Sequence, residues 1–109
     1  MSDELVVLVT VPDGKDASRI GEALVSEKLA ACVNVVPGIE SIYRWEGAVT
    51  RDAEWLLIIK TTEKRFDEME RRVKELHVYD TPEVIAVKVS GGSEEYLEWL
   101  RASTTPDQA

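Results

Sequence analysis

The stretch KLAACVNVVPGIESIYRW, Lys28 to Trp45, followed by EWLLIIKTT, Glu54 to Thr62, decides the fold. Both segments are rich in β-branched and aromatic residues. The first is interrupted at Pro37-Gly38 and ends in an aromatic, charged tip, so the two predict one long hairpin spanning about a third of the chain. Within it, Trp55-Leu56-Leu57-Ile58-Ile59 is an unbroken apolar run. Side chains alternate between faces along a strand, so such a run needs cover on both faces, whereas a two-layer domain of this size covers one. A second copy of the chain is the simplest cover, and the run predicts a self-associating sheet.

Working outward, Leu5 to Val11 is a β-branched run closed by Pro12-Asp13-Gly14, which predicts a buried first strand. Ala17, Ile20 and Leu24 then recur at helical spacing, with Asp13 or Asp16 as N-cap and Leu29 closing the segment. After the hairpin, Thr62 can cap a second helix carrying Phe66, Met69, Val73 and Leu76 on one face. Val84 to Val89 predicts a fourth strand, and Gly91-Gly92-Ser93 leads into a short helix containing Tyr96, Leu97, Trp99 and Leu100. The order is β-α-β-β-α-β plus a terminal helix: an α+β, ferredoxin-like sandwich with two helices on one face of an antiparallel sheet and the other face bare. Residues 1–109 form a single domain in this reading, with 103–109 a loose tail.

Composition narrows the function classes. A net charge of −8 opposes sequence-independent binding to nucleic acid or anionic lipid, both of which require basic clusters, and leaves room for cations. Arg71-Arg72 and Lys74 alternate with Glu68, Glu70 and Glu75 as a solvated helix face. No apolar run approaches the ~18–20 residues of a membrane helix. The single cysteine, Cys32, cannot form an internal disulfide, and no secretory signal is visible, so a cytoplasmic location is expected.

Phosphate-binding, zinc-protease and nucleophile-elbow motifs do not occur, and no nucleophile lies beside a base, so an enzyme is not expected. Cys32, in Ala30-Ala31-Cys32-Val33, reads as a small hydrophobe. The residues that could carry chemistry gather near His77, with Tyr79, Asp80 and Glu83 in the loop that follows the second helix. Imidazole and carboxylate groups in one loop can hold a divalent cation, whereas the bland alternative is a histidine at a helix C-terminus. Tyr43, Arg44 and Trp45 at the hairpin tip are either a recognition patch or a contact with a neighbouring subunit. Asp52 and Glu54, two apart on one strand, read as a solvated edge.

In order along the chain, Lys28-Leu29-Ala30-Ala31-Cys32-Val33-Asn34, Ser41-Ile42-Tyr43-Arg44-Trp45-Glu46-Gly47, Leu57-Ile58-Ile59-Lys60-Thr61, His77-Val78-Tyr79-Asp80-Thr81-Pro82-Glu83 and Tyr96-Leu97-Glu98-Trp99 resemble the CutA family of divalent-cation tolerance proteins. The resemblance implies a tight homotrimer of ferredoxin-like subunits whose long hairpin reaches onto a neighbour. It also implies a copper site with a Cys at the end of strand one and a His-His pair closing helix two. This chain has Val9 and Leu76-His77 at those positions, so only His77 carries over, and His with oxygen donors suits Cu(II) or Zn better than Cu(I).

The leading expectation is therefore a non-enzymatic cytosolic homotrimer that binds Cu- or Zn-type divalent cations through His77, Asp80 and Glu83, with no organic cofactor. The competing expectation is a small-ligand sensor similar to the trimeric PII signalling proteins, with Trp45, Lys60, Tyr79 and Glu83 lining an inter-subunit cleft. A scaffold that presents Trp45 or the terminal helix to another protein is the third.

Overall fold

A computed structural model describes residues 3–107. Seven elements follow one another: β1 (Glu4–Val11), α1 (Gly14–Ser26), β2 (Cys32–Trp45), β3 (Ala48–Thr62), α2 (Glu63–Leu76), β4 (Ile85–Lys88) and α3 (Glu94–Ser103). The strands form one sheet in the order β2-β3-β1-β4 with every neighbour antiparallel. This is the split βαβ arrangement that the sequence predicts.

Alternation sets the two faces. Leu5, Val7, Val9 and Val11 of β1 are buried against α1 and α2, in one cluster with Leu57, Ile59, Ile20, Leu24, Met69 and Val73. Each such side chain contributes about 1.5–3 kcal/mol of burial. Helix α1 starts at Asp13, whose Oδ1 accepts the Asp16 N–H at 2.9 Å. It ends at Ser26, before the Leu29 that the periodicity includes. Lys28 turns to φ 60° and the Leu29 N–H donates to the Leu24 carbonyl at 2.9 Å, an αL-type termination that stops the helix while keeping Leu29 in the core. Thr62 precedes α2 at the N-cap position, though its side chain makes no capping hydrogen bond.

The hairpin departs from expectation in an informative way. Pro37-Gly38 does not break the strand. It forms a bulge between Val36 and Ile39, with Gly38 at φ 69°, and β2 continues to Trp45. The reversal falls at Glu46-Gly47, whose φ values of 49° and 80° give a two-residue turn pairing Trp45 with Ala48. Strand β3 therefore begins six residues before Glu54, and strands of 14 and 15 residues project well beyond the helices.

The second face is also less bare than the order of elements suggests. Helix α3 lies against β1 and β3 on that side. Arg101 Nη1 donates to Glu4 Oε2 at 2.5 Å. The tail is correspondingly shorter than expected: Ser103 belongs to α3, Thr104 is buried with its hydroxyl on the Leu100 carbonyl at 3.0 Å, and Asp107 pairs with Lys28. Gln108 and Ala109 lie outside the described residues. Beyond α3 the second face stays open. Leu8, Leu56 and Ile58 are half-buried, and Ile85 and Val87 are 52% and 53% exposed.

Candidate functional site

At the end of the second face away from α3, the sheet and the α2–β4 loop enclose a cleft of about 700 Å³. The register explains its floor. The turn at Glu46-Gly47 sets Ser41 opposite Asp52 and Ile39 opposite Glu54, so Ser41, Tyr43, Asp52 and Glu54 share the face of Thr10 at the end of β1. Ile42 and Trp45 add the hairpin wall, and Tyr79, Asp80, Thr81 and Glu83 form the loop wall. Two phenol–carboxylate pairs run across it. The Tyr79 hydroxyl donates to Glu54 Oε2 at 2.9 Å, and the Tyr43 hydroxyl donates to Asp52 Oδ2.

These pairs raise the phenols' pKa values. Burial and then the hydrogen bond to Glu54 push Tyr79 up to about 12. For Tyr43 the hydrogen bond to Asp52 is the leading cause of the rise. Both phenols therefore stay neutral donors over the physiological range. Among the described residues, no lysine or arginine lines the cleft.

His77 plays a different part from a free ligand. Only 8% exposed, it sits with Nε2 2.8 Å from the Thr10 carbonyl and Nδ1 accepting the Tyr79 N–H at 3.0 Å. The tautomer that satisfies both contacts carries its proton on Nε2. The imidazole thus fastens the loop to the end of β1, and its ring lies 4.7 Å from that of Tyr79. Asp80 and Glu83 are exposed on the cleft wall. Among the described residues, no three His, Cys, Asp or Glu side chains converge as a metal centre.

Of the residues expected to line a cleft, Trp45, Tyr79 and Glu83 come together. Lys60 does not. It lies six residues beyond Glu54 on β3, about 20 Å along the strand, opposite Cys32 and bonded to Asn34 Oδ1. Glu54 corrects the reading of a solvated edge: Asp52 is exposed, but Glu54 is 7% exposed beneath the Tyr79 loop. Val9 is fully buried opposite Leu57, facing the helices, so position 9 opens onto the core and not onto the cleft.

Residues 5–103 match the family model described as CutA1 divalent ion tolerance protein. The chain belongs to the CutA1 family. It is 54% identical over 101 residues to the divalent-cation tolerance protein CutA of Thermus thermophilus, covering 93% of this chain and 98% of that one. A solved Thermus thermophilus CutA1 structure superposes with a TM-score of 0.92 at 53% identity, over 94% of this chain and 99% of that one. The rice protein CutA 1, named chloroplastic, is 57% identical over 92% of this chain, which spans 56% of the rice protein's own length. A CutA structure from Archaeoglobus fulgidus, described as periplasmic, shares 35% identity with a TM-score of 0.90, over 94% of this chain and 99% of that one. CutA1 relatives are thus named for different compartments, and no helix among the described residues is long and apolar enough to cross a membrane.

Proposed function

We propose that this CutA1-family chain acts without catalysis, as a cytosolic homotrimer that takes up divalent cations of the Cu(II) or Zn(II) type at its acidic clefts. The observation that carries the reading is a cleft lined by Asp52, Glu54, Asp80 and Glu83, with no basic side chain among the described residues, in a chain whose family is named for divalent ion tolerance. His77 already serves two backbone groups, so the exposed carboxylates of Asp80 and Glu83 are the better donors. Two carboxylates with water make a weak site, and His77 adds the nitrogen donor that suits Cu(II) or Zn(II) when it gives up its hydrogen bond to the Tyr79 N–H. The open apolar strip of Leu8, Leu56, Ile58, Ile85 and Val87 supports the assembly.

The test is calorimetric titration of metal-free protein with CuCl2 and ZnCl2. Saturable binding near one ion per chain, weakened by Asp80→Asn with Glu83→Gln, is expected. Absence of saturable binding of either ion refutes the cation reading. A second reading, a small-molecule site at the same cleft, is favoured by its volume, which falls in the ~300–1,000 Å³ range of ligand pockets and far exceeds one hydrated ion.

A further inference from the structure

We infer that the cleft binds a small organic cation, an amine carried on a flat apolar body. The inference rests on the small-molecule reading of that cleft and supplies its ligand class. Glu54 is the starting point. Its side chain is more than nine-tenths buried, yet among the described residues it makes no ion pair with any cationic residue, and its hydrogen bond is from the neutral Tyr79 phenol to Oε2. No buried side-chain oxygen among the described residues lacks a partner, so Oε1, which has no bond to the protein, must open to the cleft. A buried carboxylate with one free oxygen is stabilised most by a charge-assisted donor arriving from that side.

The walls select the rest of the ligand. Trp45, Tyr43 and Tyr79 bring three aromatic side chains to the same space as Asp52 and Glu54. Aromatic faces attract cations and also stack against flat apolar groups, whereas carboxylates reject anions. Trp45 stands on the projecting hairpin and lines the cleft, so its ring can cover one side of a bound molecule. A bare metal ion uses none of this aromatic surface. An ammonium group on Glu54 Oε1 with an apolar body under Trp45 uses both parts.

The experiment titrates metal-free protein, followed by calorimetry and Trp fluorescence, with three compounds of one shape: 2-phenylethylamine, 2-phenylethanol and phenylacetate. The amine is expected to bind saturably, with the alcohol and the acid weaker by about tenfold or more, the scale of a charge-assisted hydrogen bond. Glu54→Gln should remove that preference for the amine. If Glu54→Gln does not fold, Trp45→Ala at the exposed tip gives the second readout and should weaken the amine by about fivefold or more. Equal binding of all three compounds, or tighter binding of phenylacetate, overturns the cation class while leaving a small-molecule site in place. Binding of none of the three overturns both, and an amine affinity unchanged in folded Glu54→Gln or in Trp45→Ala overturns the placement.

Discussion

Glu54 shows how far a single residue can depart from its sequence surroundings. Beside Asp52, Arg51 and Thr50 it has the look of an exposed strand edge, and nothing local marks it for burial. Two distant features bury it: the turn at Glu46-Gly47, which fixes its register, and His77, which ties the Tyr79 loop down onto it. The loop cluster of His77, Tyr79, Asp80 and Glu83 was legible because four chemically distinctive residues stand close together in sequence. Its partnership with Asp52 and Glu54 was not, because that depends on a hydrogen bond between residues 25 apart. The Tyr79 phenol has a testable pH signature. Its pKa is near 12 in the folded protein against 10.0 for the ordinary group, so the neutral phenol's contribution is complete below about pH 10 and disappears as pH rises towards 12. Wild type should therefore lose its stability advantage over Tyr79→Phe across that interval in paired urea denaturation. A difference that stays constant with pH would contradict the Tyr79–Glu54 bond.

Among the elements, strand β3 carries the most information. Its apolar run demanded two covered faces, and the register divides the demand: Leu57 and Ile59 meet the helices, while Leu56 and Ile58 lie on the opposite face. The sequence made the need for a second cover plain, but not that α3 would supply part of it, since a short amphipathic helix carries no mark of which face it will join. The division makes two neighbouring substitutions behave differently. Leu57→Asp places an uncompensated charge in the core and should abolish cooperative unfolding, whereas Ile58→Asp should leave a folded protomer with native circular dichroism and a light-scattering mass near 12.2 kDa. If Ile58→Asp keeps the oligomeric mass of wild type, the open strip is not the contact between copies.

At the scale of the whole molecule, a body 45 Å long and 22 Å thick combines a compact sandwich with a projecting hairpin. If copies assemble through the open strip as proposed, folding is coupled to concentration. The melting temperature of wild type should rise with protein concentration and that of Ile58→Asp should not, as scanning calorimetry at several concentrations would show. A concentration-independent melting temperature for wild type would argue for independent protomers. Helix α3 has a consequence of another kind. Its Arg101 meets Glu4 across 97 residues of chain, so on the ribosome the first strand emerges long before the helix that shields one end of it. The nascent sheet must wait, with the Glu4 end of β1 uncovered, until almost the whole domain has left the exit tunnel. Slow synthesis over the last two elements would lengthen that exposure.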